Sequence, residues 1–246
     1  MTTDAQHQPV FNAPAIVILT AGGLLLIHLG LTLLTEDDRY WLQLALGVIP
    51  ARYADVAVAL PGGAWSAYVA PLTHMAVHAD WTHVIFNVAW FVAFGTIIAR
   101  RLSTLRFVLF FVITGLFGAL AFVANNFGLA YPMIGASGAI AGLMGGLLRL
   151  FPLIGASPPG EDRTYGMVHY PMPPLSYALR FRPVIGVIVA FLVINLVFAT
   201  GIASEFAGEI AWEAHLGGFA AGVFLFGLFD RPQPAPEPYG YEDADM

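Results

Sequence analysis

The sequence predicts an all-α fold, a polytopic bundle of six membrane-spanning helices, and three observations carry that expectation. Of 246 residues, 58% are hydrophobic and only 11% charged, where soluble domains carry roughly a quarter charged residues. The mean hydropathy is +0.74. The apolar residues also fall in blocks long enough to cross a bilayer, which takes about 20 apolar residues in helical form. So much apolar surface has to be covered, which excludes both an ordinary soluble domain and a disordered chain. There are no cysteines, and with them go disulfides, zinc-thiolate sites and thiol nucleophiles. All ten basic residues are arginine, the net charge is −6, and nothing resembles the basic stripe that nucleic acid requires.

The first block, Ala15 to Leu34, is closed by Glu36-Asp37-Asp38. It has no basic stretch ahead of it and exceeds the roughly 7–15 apolar residues of a secretory signal, so it is expected to span. Thr82 to Ala99 is the second block, stopped by Arg100-Arg101, and Phe107 to Val123 is the third, between Arg106 and Asn125-Asn126. Met133 to Leu150 is the fourth and is rich in glycine. Val184 to Ala199, opening after Pro183, is the fifth, and Ile210 to Leu228, closed by Asp230-Arg231-Pro232, is the sixth.

The arginines orient these blocks. Arg100, Arg101, Arg106, Arg149, Arg163, Arg180, Arg182 and Arg231 fall on one side, against Arg39 and Arg52 on the other. Arginine-rich loops stay in the cytoplasm, so both termini are expected there. The arginine-only, alanine-rich composition points to a bacterial inner membrane. Residues 1–14 then form a cytoplasmic tail, 15–230 the membrane domain, and the proline-rich and acidic 231–246 a disordered cytoplasmic tail. Residues 35–81 make the largest outer segment, whose apolar stretches are too short to span. Its Tyr40, Trp41, Trp65 and Tyr68 suit the membrane surface. The proline-rich loop 151–182 is expected to be irregular.

Polar groups inside spans are costly and point to function. His83 and Asn87 in the second span, Ser137 in the fourth and His215 in the sixth stand out. Asn87, Ser137 and His215 each lie about four or five residues in from the outer end, roughly 6–8 Å deep at ~1.5 Å per residue. His83 and Asn87 are at i and i+4, on one face. Ser137, Ala141 and Gly145 run beside Gly138, Gly142 and Gly146, while Ala211, His215, Gly218 and Gly222 form a second small-residue stripe. Two such faces pack closely and would bring Ser137 to His215.

A serine hydroxyl becomes nucleophilic when a histidine takes its proton. Ser137 would attack an amide carbonyl, with His215 acting as base and then as acid. The Ser137 N–H and the His83 and Asn87 side chains are candidate oxyanion donors. No aspartate lies at matching depth, and Glu213 is on a different face from His215, so a Ser–His dyad is expected. The blander readings are glycine-driven helix packing around Ser137 and structural or proton-relay histidines, and His28 is read as structural. No metal or organic cofactor is implied, since Asn is a poor zinc ligand, no carboxylate joins His83, and the glycine-rich stretch lies within a helix.

Three motifs share one chain: Gly135-Ala136-Ser137-Gly138; Ala214-His215 followed by Gly218 and Gly222; and His78, His83 and Asn87, preceded by Thr73-His74. In this order they resemble the rhomboid family of intramembrane serine proteases, from about Pro71 to Asp230. The resemblance implies Ser137 as nucleophile, His215 as general base, and His83, Asn87 and the Ser137 N–H as oxyanion hole. It makes His74 and His78 structural or water-organising. It also implies single-span membrane proteins as substrates, cut in a cavity open to the outer side, with Thr200 to Glu209 part of a substrate gate. Two departures stand out. Ala141 replaces the aromatic residue that often stacks on the histidine, and the Trp-Arg pair of the first outer loop is absent, Trp65-Ser66 being the nearest approach. A non-proteolytic rhomboid-fold protein that binds membrane clients is the alternative, although such relatives typically lose the serine or histidine. A transporter using His83, Asn87 and His215 as a relay would need polar groups through both leaflets, whereas these occupy the outer half.

Overall fold

The computed structural model describes residues 13–54, 59–159, 161–202 and 210–231. The predicted tails therefore lie almost wholly outside the described residues, as do residues 203–209 of the predicted gate. Ten α-helices are described: α1 Ala15–Thr32, α2 Glu36–Leu46, α3 Gly63–Thr73, α4 Trp81–Arg101, α5 Thr104–Asn125, α6 Ser137–Leu148, α7 Tyr165–His169, α8 Leu175–Ala178, α9 Arg182–Ala199 and α10 Trp212–Phe229. Five of them, α1, α4, α5, α9 and α10, are long and apolar enough to cross a membrane. This is an integral membrane protein with an all-α bundle.

The fourth predicted span needs correction. Met133–Leu150 was expected to be helical throughout, but α6 has 12 residues and reaches about 18 Å, well short of the ~30 Å hydrocarbon core. The segment before it is non-helical, because Met133 forms an antiparallel bridge with Val48 and Gly135 sits at φ +110°. Helical rise therefore does not set the depth of Ser137, which is the first residue of α6 rather than one turn inside it.

α6 is apolar all round and buried all round: only Ser137 and Met144 of its twelve residues are not fully buried. Such a helix belongs at the centre, and it packs against α10, α5 and α4. Non-helical backbone at membrane depth is tolerated only inside protein, and this position supplies that cover. The outer helices show the opposite pattern. Leu19 and Leu26 of α1 and Leu196 of α9 are about two-thirds exposed, as expected of faces that meet lipid.

The long segment between α1 and α4 is largely helical among the described residues. Thr35 caps α2, its Oγ1 accepting from the Asp38 N–H at 3.2 Å, and Glu36, Asp37 and Asp38 occupy the first turn, where the helix dipole favours acids. Arg52 holds the following turn by donating to the Leu44 and Pro61 carbonyls at 2.8 and 2.7 Å. Tyr40, Trp41, Trp65 and Tyr68 are exposed. On the opposite face, loop 151–182 contains only the short α7 and α8 and a 3-10 turn at Phe151–Leu153. Arg101, fully buried, ties this end together. It donates to the Met167 and Tyr170 carbonyls at 2.7 and 2.9 Å and makes a two-pronged ion pair with Asp230.

His28 of α1 is buried, its ring edge-on to Trp81 with centroids 4.7 Å apart. That suits the structural reading, since the contact joins α1 to the start of α4.

Candidate functional site

The site begins with the turn that delivers Ser137. Gly135 has φ +110°, a conformation that side chains rarely adopt. A Cβ there would lie 2.6 Å from His83 Nε2, so this position needs glycine on two grounds. The turn is pinned from three directions. Met133 and Val48 exchange backbone hydrogen bonds of 2.8 and 3.0 Å, and the Gly135 N–H donates to the His74 carbonyl at 2.8 Å. The Ala136 N–H donates to His78 Nε2 at 3.4 Å. His74 Nδ1 in turn bonds the Ala70 carbonyl at 3.0 Å. These two histidines hold the loop in front of the serine. Burial pushes the His74 pKa down to about 4 and that of His78 to about 3, so His78 remains the neutral acceptor this contact requires.

The glycine stripes then close the gap between α6 and α10. A Cβ on Gly218 would fall 2.7 Å from the Gly138 carbonyl carbon and closer still to its oxygen. A Cβ on Gly222 would fall 2.8 Å from the Gly142 carbonyl carbon. The two backbones are in direct contact, and only glycine permits that. One turn before Gly218, His215 Nε2 lies 2.8 Å from Ser137 Oγ. The two side chains singled out from sequence thus form a hydrogen bond across 78 residues.

Residues 65–157 match the family model of the rhomboid domain. That match supports membership of the rhomboid family. That family is, in general, one of intramembrane proteases. No curated protein matches the chain. The matched segment holds His74, His78, His83, Asn87 and Ser137 but stops short of α9 and α10, so His215 joins the rhomboid domain through packing.

His83 and Asn87 flank the same turn. The Asp80 carboxylate caps α4 by accepting from the His83 N–H at 2.8 Å, which places the imidazole in the first turn with Nε2 against Gly135. Its Nδ1 accepts from the Ala79 N–H at 3.5 Å, leaving Nε2 as the N–H donor. Asn87, buried, donates one amide N–H to the His83 carbonyl at 2.9 Å, and its Oδ1 has no partner among the described residues. The Ser137 N–H is the first of α6 and has no intrahelical acceptor; the Ile140 N–H, bonded to the Ala136 carbonyl at 3.0 Å, opens the ladder.

Glu213 is indeed turned elsewhere: its Oε1 accepts from Asn125 Nδ2 at 2.9 Å and Asn126 Nδ2 at 3.0 Å. Among the described residues, no group of three or more His, Asp or Glu is placed to hold a metal ion.

Sequence reasoning missed one residue of this candidate site. Asn195 of α9 is buried, and its Oδ1 lies 3.1 Å from His215 Nδ1. The signal was present, because an asparagine in an apolar span meets the criterion that selected Asn87. It also lies four residues before the end of α9, about 6 Å from that terminus at ~1.5 Å per residue.

Proposed function

We propose that this protein is an intramembrane serine protease that cuts the transmembrane segments of single-span membrane proteins. The observation that carries the reading is the 2.8 Å contact between His215 Nε2 and Ser137 Oγ. His215 takes the Ser137 proton as Oγ attacks the scissile carbonyl, then delivers it to the leaving amine. Water repeats the sequence on the acyl-enzyme. The oxyanion is held by the Ser137 N–H, at the positive end of α6, together with the His83 Nε2–H and the free amide N–H of Asn87. Burial of α6 among α4, α5 and α10 keeps these donors preorganised, which is where most of the rate enhancement arises. The positive-inside distribution of arginine supports both termini in the cytoplasm and a site open to the outer face, and the arginine-only, alanine-rich composition supports residence in a bacterial inner membrane. The bilayer and the substrate's single span are then the natural partners.

The test is cleavage of a model single-span protein by the purified chain in detergent and in lipid. Ser137→Ala and His215→Ala, each shown to be folded by its thermal transition, should lose at least about 10³-fold in kcat/KM. Undiminished cleavage by either variant removes that residue from the mechanism. A native chain that captures single-span proteins and cuts none of several would fit the client-binding alternative instead.

A further inference from the structure

We propose that Asn195 is the positioning residue for His215, so that the hydrolytic centre is a Ser137–His215–Asn195 relay; this rests on Ser137 and His215 being nucleophile and base. Asn195 Oδ1 lies 3.1 Å from His215 Nδ1, while the opposite ring nitrogen lies 2.8 Å from Ser137 Oγ. The orientation of the amide is set by its second bond: Nδ2 donates to the Phe191 carbonyl at 2.8 Å. A carbonyl cannot donate, so the amide nitrogen has to face Phe191 and the amide oxygen faces the imidazole. An oxygen acceptor there places the hydrogen of neutral His215 on Nδ1. Nε2 is thereby left bare, as a base for Ser137 must be.

Among the described residues, Asn195 is the hydrogen-bond partner of His215 Nδ1. Ala141 offers no ring to stack on the imidazole, and the nearby carboxylate of Glu213 is engaged by Asn125 and Asn126. α9 is otherwise a lipid-facing helix: among its residues only Val184 and Asn195 are buried. One turn from Asn195, Phe191 stacks on Phe219 of α10 with centroids 4.4 Å apart, which anchors this turn of α9 to the helix that carries His215. A buried amide is costly unless its hydrogen bonds are made, and here both ends of the amide are used.

During attack the Ser137 O–H bond breaks and its proton moves to His215 Nε2. The Oγ–carbon bond forms as the carbonyl π pair moves onto oxygen. The Nδ1–H bond persists, and the new imidazolium donates more strongly to Asn195 Oδ1. A neutral amide fixes the tautomer and ring plane without competing for the proton, which is the role Asn plays in Cys-His-Asn hydrolases.

The experiment uses the full chain with Asn195→Leu and Asn195→Asp, alongside Ser137→Ala and His215→Ala, and a model single-span substrate. Asn195→Leu should lower kcat about 10- to 100-fold with KM changed less than about threefold, since it removes part of a general-base contribution. Asn195→Asp should keep activity and move the acidic limb of the kcat/KM profile up by about one pH unit, because an anionic acceptor favours the imidazolium. A purely structural role would not move that limb, and the aspartate variant keeps the test decisive if the leucine variant does not fold. An unchanged limb in Asn195→Asp, or full kcat in folded Asn195→Leu, overturns the assignment. If Ser137→Ala and His215→Ala are inactive while both Asn195 variants behave as native, only the role of Asn195 fails. If the Ser137 and His215 variants cut like the native chain, the reading of the dyad fails and this one with it.

Discussion

Substituting Gly218 by alanine adds a single methyl where α10 crosses α6, and the structure sets the size of the effect. The new Cβ would lie 2.7 Å from the Gly138 carbonyl carbon and 3.3 Å from the Thr114 carbonyl oxygen. Both neighbours are backbone, so no side chain can swing aside. The Gly138 carbonyl oxygen is closer still, and restoring ordinary contact with it, 3.4 Å or more, requires the helices to part by about 1.5 Å, since close-packed interiors have no slack to absorb it. His215 lies three residues earlier on the same face of α10, so its 2.8 Å bond to Ser137 Oγ would open past hydrogen-bonding range. A misplacement of that size costs on the order of 10²-fold in rate. Overpacking costs about 1–3 kcal/mol, offset by about 0.5–1 kcal/mol from replacing a helical glycine by alanine. The assay is kcat on a model single-span substrate together with the thermal midpoint in detergent. Gly22→Ala serves as control, because a Cβ there meets nothing within 4 Å; it should retain activity. Gly218→Ala with native kcat and native midpoint would refute the claim that close approach of these two helices sets the Ser137–His215 distance.

Three further expectations follow from the same geometry. Arg101→Met should lower stability by about 3–5 kcal/mol, because it strands the largely buried Asp230 carboxylate together with two carbonyls; equilibrium unfolding in detergent measures it, and a loss below about 1 kcal/mol would contradict the role of this ion pair. Gly135→Ala should leave a folded but nearly inactive chain, since the methyl meets the His83 ring at 2.6 Å from a φ of +110°; normal turnover would show that the turn relaxes freely. On acidification the thermal midpoint should fall. His74 and His78 have pKa values near 4 and 3 when folded but near 6.5 when exposed, so between these limits only the unfolded chain takes up protons. Their stabilisation is complete above about pH 6.5 and is lost toward pH 3–4, at up to about 1.4 kcal/mol per pH unit for each histidine. A midpoint that holds or rises from pH 6.5 to 4.5 would contradict it.

Local composition alone was enough to reveal the bundle and to single out every residue of the candidate site except Asn195. A run of apolar residues such as Phe107 to Val123 admits one outcome in a bilayer, because its backbone must bond to itself. For the same reason Ser137, His215, His83 and Asn87 are conspicuous: polar groups in apolar helices are rare enough that residue type by itself marks them. The small-residue stripes were legible too, since helical periodicity puts Gly138 and Gly142 on one face whatever they pack against.

What periodicity could not supply was the conformation of Met133 to Ala136. Those residues are apolar enough to continue a helix, and it is the bridge to Val48 and the bonds from Gly135 to His74 and from Ala136 to His78 that hold them out of it. Partners 58 or more residues away in the chain overrule local preference there, so the start of α6, and with it the exposure of the Ser137 N–H, belongs to the tertiary structure. The contact between Asn195 and His215 is of the same kind. The sequence by itself determined that an asparagine sits near the end of an apolar helix. Only the packing of α9 against α10, through Phe191 on Phe219, decided that its oxygen meets an imidazole, because a hydrogen bond depends on positions to a few tenths of an ångström and the sequence pattern specifies only a face.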